Sequence, residues 1–99
     1  MEYAHIGWCK TDKHDKVWGI IQLSSGNYPR NNKYVTFWGR RGSKLQTKMW
    51  EGQDWDASKL FDMKLSRGYK SVDLDELNTV YPEFQRDLEK TAVWAMLRG

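Results

Sequence analysis

The chain has 99 residues, a mass of 11.8 kDa and a formal net charge of +3, with 39% hydrophobic and 29% charged residues. This length excludes two independent cores, and the composition excludes a disordered chain. The sequence has no apolar run near the roughly 20 residues of a membrane helix, no signal-peptide pattern at its start, and one cysteine, Cys9, too few for an intrachain disulfide. We therefore expect a small cytoplasmic domain.

The charge is distributed unevenly along the chain. Residues 16–50 carry seven Lys and Arg and no acid, whereas residues 1–15 sum to −1 and residues 51–99 to −3. A segment of one sign is typical of a surface that faces a polyanion, because neutralising phosphates releases counterions. The alternative is that these cations pair with the acidic second half of the chain.

Up to residue 50 the pattern predicts β-structure. Four strands are expected, over residues 2–10, 17–23, 33–38 and 44–50. Turn-rich segments separate them, at residues 11–15, 24–32 and 39–43. In the third strand Tyr34, Thr36 and Trp38 share one face, and Val35 and Phe37 share the other.

Beyond residue 50 the apolar residues recur at helical spacing. A helix is predicted over residues 56–65, which Asp54 or Asp56 can cap and Gly68 can end. Residues 69–74 are expected to return as a short strand.

A second helix is predicted near the C-terminus, with Pro82 as its first residue. Its apolar stripe comprises Tyr81, Phe84, Leu88, Ala92 and Ala95. Such a stripe either caps the domain or binds a partner, and the cap is favoured. The predicted fold is α+β: a small antiparallel sheet of four to five strands packed against one helix, plus a C-terminal helix. Residues 1–75 would form the domain, and residues 76–99 a helical extension packed on it.

Catalytic chemistry has little support in the sequence. Residues 39–44 contain two glycines and a lysine, but a strand follows them and the spacing is not that of a phosphate-binding loop. No Cys or His cluster supplies a metal site, and no serine lies in a nucleophile elbow. Two acidic groups could hold Mg²⁺ in a nuclease, but helix caps and turns account for them better: Asp54/Asp56 and Asp73/Asp75/Glu76. We expect a binding module without a cofactor, metal or catalytic residue.

An ordered set of motifs resembles the WGR domain, a family named for the tripeptide that stands here as Trp38, Gly39 and Arg40. An apolar strand end, a later glycine and the start of the next strand match in the same order. They stand here as Ile21-Gln22-Leu23, Gly42 and Gln46-Thr47-Lys48. Two positions depart from the family pattern: Leu45 replaces a glycine, and Asp15-Lys16 replaces an Asn-Lys pair near the 5′-phosphate site.

The resemblance implies a small sheet with one helix and a role in binding DNA. In DNA-damage-dependent poly(ADP-ribose) polymerases the domain binds near DNA ends. By that analogy Trp38 would stack on a terminal sugar or base, and Arg40 would contact the backbone or a neighbouring domain. No polymerase activity is expected of this chain.

Residue pattern and resemblance together predict a nucleic-acid-binding surface, because rings stack on bases or sugars while cations meet phosphates. Its predicted members are Trp38, Arg40, Arg41, Lys44, Gln46, Lys48, Lys33 and Tyr69. The tryptophans expected in core or half-buried packing are Trp8, Trp18, Trp50 and Trp55. Two alternatives stay open: Trp38 as a core residue, and Arg40 paired with an acid of the helix.

The function expected from the sequence is non-enzymatic nucleic-acid binding, with DNA favoured over RNA. The alternative is a protein-interaction or inhibitory accessory module. It would dock on a nucleic-acid-processing enzyme, or on another protein, through the same surface or the C-terminal helix. The oligomeric state is left open.

Overall fold

A computed structural model describes residues 2–91, with side chains from residue 5 onward. In this range a five-stranded antiparallel sheet, in the order β4-β3-β2-β1-β5, packs with three helices. The strands are β1 (Glu2–Lys10), β2 (Asp15–Ser24), β3 (Asn32–Arg40), β4 (Gln46–Gly52) and β5 (Lys70–Ser71). The helices are α1 (Asp54–Ser66), α2 (Leu74–Val80) and α3 (Phe84–Glu89). The α+β fold class predicted from the sequence is confirmed.

The hairpin between β3 and β4 differs from the expected one at both ends. β3 continues through Arg40, and β4 begins at Gln46 rather than at Lys44. The turn closes where the Ser43 N–H donates to the Arg40 carbonyl oxygen over 3.1 Å, and Gly42 adopts a φ of +87°. Glycine suits this left-handed conformation because it has no Cβ. Lys44 therefore lies in the turn and not on the strand.

Helix α1 begins two residues earlier than predicted. Gln53 is the N-cap residue, and its backbone N–H donates to the Asp56 carboxylate over 2.8 Å. Asp56 thus caps the helix, whereas Asp54 accepts hydrogen bonds from the Tyr34 hydroxyl, at 2.6 Å, and from the Asn32 amide, at 3.1 Å. At the other end Gly68 has a φ of +100° and ends the helix as expected.

The central strands bury side chains on both faces of the sheet. On one face Trp18, Ile20 and Tyr34 pack with Ala57 and Phe61 of α1. On the other face the core combines strand residues with residues of the C-terminal helices: Val17, Ile21, Val35, Phe37, Leu77, Tyr81, Phe84 and Leu88. Burial on both faces explains why β2 is a continuous apolar run instead of an alternating one.

The C-terminal part of the chain contains a helix that the sequence pattern missed. Helix α2 is capped by the Asp73 carboxylate, which accepts the Glu76 N–H over 2.7 Å, so this acidic group serves as a helix cap. Helix α3 begins at Phe84, two residues after Pro82. Tyr81, Phe84 and Leu88 of the predicted apolar stripe are buried in the core. Ala92 and Ala95 lie outside the described residues.

A buried polar pair joins α3 to the β3–β4 hairpin. The Tyr81 hydroxyl donates to the carboxylate of Asp87, whose exposed fraction is 1%, and a backbone hydrogen bond links Gly42 to the Tyr81 hydroxyl. Burial, followed by the hydrogen bond to Asp87, raises the pKa of Tyr81 far above its ordinary value.

The Tyr81→Phe variant is expected to lose about 1–3 kcal/mol in its free energy of unfolding at pH 8, because a buried carboxylate loses its donor. The folded-state pKa of Tyr81 is raised, so its contribution is complete below the ordinary tyrosine pKa of about 10 and is lost as the pH rises further. Urea unfolding at pH 8 and at about pH 10.5 should show a smaller loss of stability between the two pH values in the variant than in the wild type.

The control is Tyr28→Phe, which removes a phenol whose residue is 78% exposed. This variant should keep the wild-type urea midpoint at pH 8. Equal midpoints for Tyr81→Phe and the wild type would contradict a stabilising role for the buried pair.

Candidate nucleic-acid interface

Aromatic and cationic side chains lie in register on the sheet face that carries α1. Because side chains alternate along a strand, residues paired across β2, β3 and β4 project from the same face. The cross-strand rows on this face are Lys16–Arg40, Trp18–Trp38–Gln46, Ile20–Thr36–Lys48 and Gln22–Tyr34–Trp50. The hairpin thus places the Trp-Gly-Arg tripeptide beside two further tryptophans.

Helix α1 covers only part of this face. It packs mainly along β1, where the Phe61 ring stacks on His5 with a centroid distance of 4.8 Å and lies 6.1 Å from the Trp18 ring. Leu60 and Lys64 of the same helix form the border of an open region over β3 and β4. A groove therefore runs between α1 and the outer strands.

One end of the groove is a cavity of about 350 Å³, which we call the tryptophan pocket. It is lined by Trp18, Thr36, Trp38, Lys48, Trp50, Leu60 and Lys64. The Trp50 indole N–H donates to the Thr36 hydroxyl oxygen over 2.8 Å, and its ring stacks on Tyr34 at 4.6 Å. These contacts hold the Trp50 ring in one orientation, so the pocket has a defined wall.

The other end of the groove is a cavity of about 260 Å³, which we call the cationic pocket. It shares Trp18, Trp38 and Lys64 with the tryptophan pocket and adds His14, Asp15, Lys16, Gly39, Arg40 and Tyr69. The Lys16 ammonium lies 5.8 Å from the centre of the Tyr69 ring, and the Lys64 ammonium lies 5.8 Å from that of Trp18. Such contacts hold the lysine side chains along the aromatic surface.

Asp15 is the acidic residue that lines the cationic pocket, and its carboxylate is bonded to other side chains of the protein. Its carboxylate accepts hydrogen bonds from the Trp8 indole at 2.9 Å, from Lys10 at 3.2 Å and from Arg41 at 2.8 Å. Burial acts to raise the pKa of Asp15, but these three hydrogen bonds outweigh burial and hold the pKa below its ordinary value. The pocket is therefore positive despite the carboxylate.

Arg41 lies outside the groove, although the sequence places it beside Arg40. Its guanidinium binds the Asp15 carboxylate with an N–O distance of 2.6 Å and donates to the Val80 carbonyl oxygen, also over 2.6 Å. Consecutive residues at a strand end point to opposite faces, so Arg40 projects toward the groove while Arg41 projects toward α2. The predicted nucleic-acid contact at Arg41 is better described as a structural bond.

The structure brings some of the remaining predicted residues together and separates others. Lys48 and Tyr69 line the groove, and Gln46 is the cross-strand neighbour of Trp38. Lys44 lies beyond the groove, in a shallow depression next to Thr91. Lys33 is two residues before Val35 on β3, so its side chain lies with those of Val35 and Phe37 on the sheet face opposite to the groove.

Several groove residues were not predicted from the sequence as members of the site. Trp18 and Trp50 pack in the core cluster beneath α1, as the sequence predicted. Their rings also form walls of the tryptophan pocket, which the sequence did not predict. Lys64 was not predicted, and Lys16 was named only within the Asp15-Lys16 departure from the family pattern. Trp18 and Trp50 share the strand face of Trp38 once the register is known, which is the signal that could have found them.

Trp55 is the tryptophan for which the packing expectation is wrong. It is 60% exposed in the first turn of α1, where its ring lies 6.2 Å from that of the exposed Tyr28. The half-buried Trp8 agrees with the expectation, because its indole is bonded to Asp15 on the far face of the sheet.

The described part of the chain contains no group of three or more His, Cys, Asp or Glu side chains placed to hold a metal ion. Within the same residues no helix is long and apolar enough to cross a membrane.

No family model, curated protein sequence or solved structure matches the chain. The resemblance to the WGR domain therefore rests on its motif residues and stays a prediction.

Alanine substitution is expected to destabilise the protein at Arg41 but not at the neighbouring Arg40. Arg41→Ala should lower the free energy of unfolding by about 1–2 kcal/mol at pH 7, because Asp15 and the Val80 carbonyl lose a charged donor. Arg40→Ala, at an exposed position, should stay within about 0.5 kcal/mol of the wild type. Urea unfolding of both variants measures the difference.

The effect at Arg41 should also depend on pH. The folded-state pKa of Asp15 is lowered, so the ion pair stabilises the protein above the ordinary aspartate pKa of about 4 and is lost as the pH falls below it. The deficit of Arg41→Ala should therefore shrink toward pH 3. A deficit of equal size at both pH values would contradict the bond to Asp15.

Proposed function

We propose that the chain is a non-enzymatic nucleic-acid-binding module and that the groove is its binding surface. The observation that carries this proposal is a groove that is lined by three indole rings and bordered by cations from four separate elements. The cations are Lys16, Arg40, Lys48 and Lys64. A strand of nucleic acid offers bases and sugars to the rings and phosphates to the cations at the same time.

The groove cations are available to a ligand. Among the described residues, the acids pair with Lys10, Arg41, Arg86 and Lys90. No groove cation forms an ion pair there. Within the described residues, no cation of residues 16–50 pairs with an acid of the second half, since Arg41 pairs with Asp15. Unpaired cations on one face support binding to a polyanion, because phosphate contacts then require no internal salt bridge to break.

Trp38 is placed to make the stacking contact. It is half-buried, it stands at the junction of the two pockets, and it follows the alternation that directs Arg40 to the same face. Its ring also packs against the core cluster on this face, in line with the alternative of a core residue, and the half-buried position leaves part of the ring open to a ligand. The preference for DNA over RNA is taken from the resemblance to the WGR domain.

Replacing Trp38 tests the aromatic contact. Trp38→Ala should weaken binding to a fluorescent DNA oligonucleotide about tenfold or more at low salt, since base stacking on an aromatic ring is worth about 1–3 kcal/mol. Fluorescence anisotropy measures the affinity, and urea unfolding verifies that the variant is folded. If the wild type binds neither single-stranded, duplex nor nicked DNA at low salt, the proposal is wrong.

Two lysines on neighbouring strands give a matched test of the electrostatic contact. Lys48→Ala should reduce the slope of log affinity against log salt concentration by about 0.7–0.9, the value for one phosphate contact. Lys33→Ala removes the same charge from the opposite face and should leave the slope unchanged. Equal effects of the two variants would show that the groove is not the binding surface.

A second candidate function, docking on a protein, is favoured by the exposed apolar residues of α1. Trp55, Met63 and Leu65 of this helix face solvent outside the groove. The C-terminal helix is a poorer candidate, since Phe84 and Leu88 are buried in the core. The two functions separate by substitution: Trp55→Ala removes an α1 contact with a protein and leaves nucleic-acid binding unchanged.

A further inference from the structure

The tryptophan pocket is a recess rather than a flat stacking surface. Thr36 is a small side chain at its floor, in the row between the Trp38 row and the Trp50 row of the sheet. Trp50 is the partner of Tyr34, so the two rows are four residues apart, or about 13 Å along β3. A small residue between two rows of large aromatic side chains leaves space for a planar ring between them.

The size and lining of this recess suit one aromatic ligand. Its volume of about 350 Å³ lies at the lower end of the range of small-ligand sites, which are mostly apolar with a few placed polar groups. The Thr36 oxygen already accepts the Trp50 N–H, so the hydroxyl proton of Thr36 can donate to a ring acceptor. Every nucleobase carries such an acceptor beside its aromatic face.

The charges at the opening of the tryptophan pocket indicate which kind of ligand it can bind. Lys48 of β4 and Lys64 of α1 stand on opposite sides of the opening. They would repel a cationic ligand such as a methylated ammonium, which aromatic cages otherwise bind. They would attract the two phosphates that flank a base, and the adjoining cationic pocket would receive the next phosphate.

We propose that the tryptophan pocket holds one unstacked base of a single strand, an inference that rests on the proposed nucleic-acid function. A base in continuous duplex is stacked and paired, so it can enter the pocket only after it is extruded at a free-energy cost. The protein therefore binds unpaired nucleotides more tightly than duplex. The groove cations still give duplex a weaker, salt-dependent affinity.

The first test compares three oligonucleotides of equal charge by fluorescence anisotropy at low salt: a thymidine single strand, an abasic strand of the same length, and a blunt-ended duplex with the same total number of phosphates. We expect the thymidine strand to bind about tenfold more tightly than the other two. Free thymidine monophosphate should bind far more weakly than the strand. Equal affinities for the three oligonucleotides would overturn the inference, and so would a mononucleotide that binds as tightly as the strand.

The second test fills the pocket. Leu60→Trp places a large ring at the mouth, while Leu65→Trp makes the same change on α1 outside the pocket, at nearly equal exposure, 38% against 37%. Leu60→Trp should weaken single-strand binding about tenfold and change duplex binding less than twofold. Leu65→Trp should change neither. Equal losses for strand and duplex in Leu60→Trp, or no loss in either, would contradict a base site.

A third measurement on the wild-type protein requires no variant to fold. Indole N–H signals in nitrogen–proton correlation spectra, assigned by triple-resonance experiments, report each tryptophan separately. The signals of Trp18, Trp38 and Trp50 should shift on addition of the thymidine strand, while those of Trp8 and Trp55, outside the pocket, should not. Shifts confined to Trp55 would assign binding to α1 instead. Absence of binding by every oligonucleotide would overturn the proposed function itself, whereas binding without these shifts would overturn only the base site.

Discussion

The unequal cover of the two sheet faces is the constraint on which the rest of the structure depends. Helices α2 and α3 cover one face, where Phe37 and Phe84 pack with a ring distance of 5.2 Å. Helix α1 has 13 residues, about 20 Å of helix, and it packs mainly along β1 on the other face. Trp38 of β3 and Trp50 of β4 are therefore only half-buried. Aromatic rings left partly uncovered in this way gain by contact with a ligand.

The hairpin that carries the Trp-Gly-Arg tripeptide is held from the side opposite to the groove. Arg41 is bonded to Asp15 at the start of β2 and to Val80 at the end of α2. Tyr81 contacts the backbone of Gly42 and the buried Asp87. These bonds fix the turn, so Arg40 and Trp38 are presented by rigid strand backbone. Because consecutive side chains of a strand point to opposite faces, Arg41 stabilises the fold while its neighbour Arg40 faces the groove.

The fold divides the positive segment of the sequence into different roles. Lys16, Arg40 and Lys48 reach the groove, while Arg41 is an internal donor and Lys33 lies on the far face. The groove also takes Lys64 from the acidic second half of the chain. A run of charge along a sequence therefore indicates the kind of partner, but strand alternation and helix placement select which charges meet it.

The sequence by itself determined the strands, helix α1, the strand faces of Tyr34, Thr36 and Trp38, and the glycine end of α1. These features follow from period and local backbone chemistry, which act over a few residues. It did not determine α2. A helix of seven residues has about two turns, so its spacing of apolar residues is hard to distinguish from that of an isolated turn. Only the tertiary structure decided that Trp18, Trp38 and Trp50 surround one pocket and that Arg41 faces inward. Those positions depend on cross-strand register and on where α1 lies, which are set by contacts between residues distant in the chain.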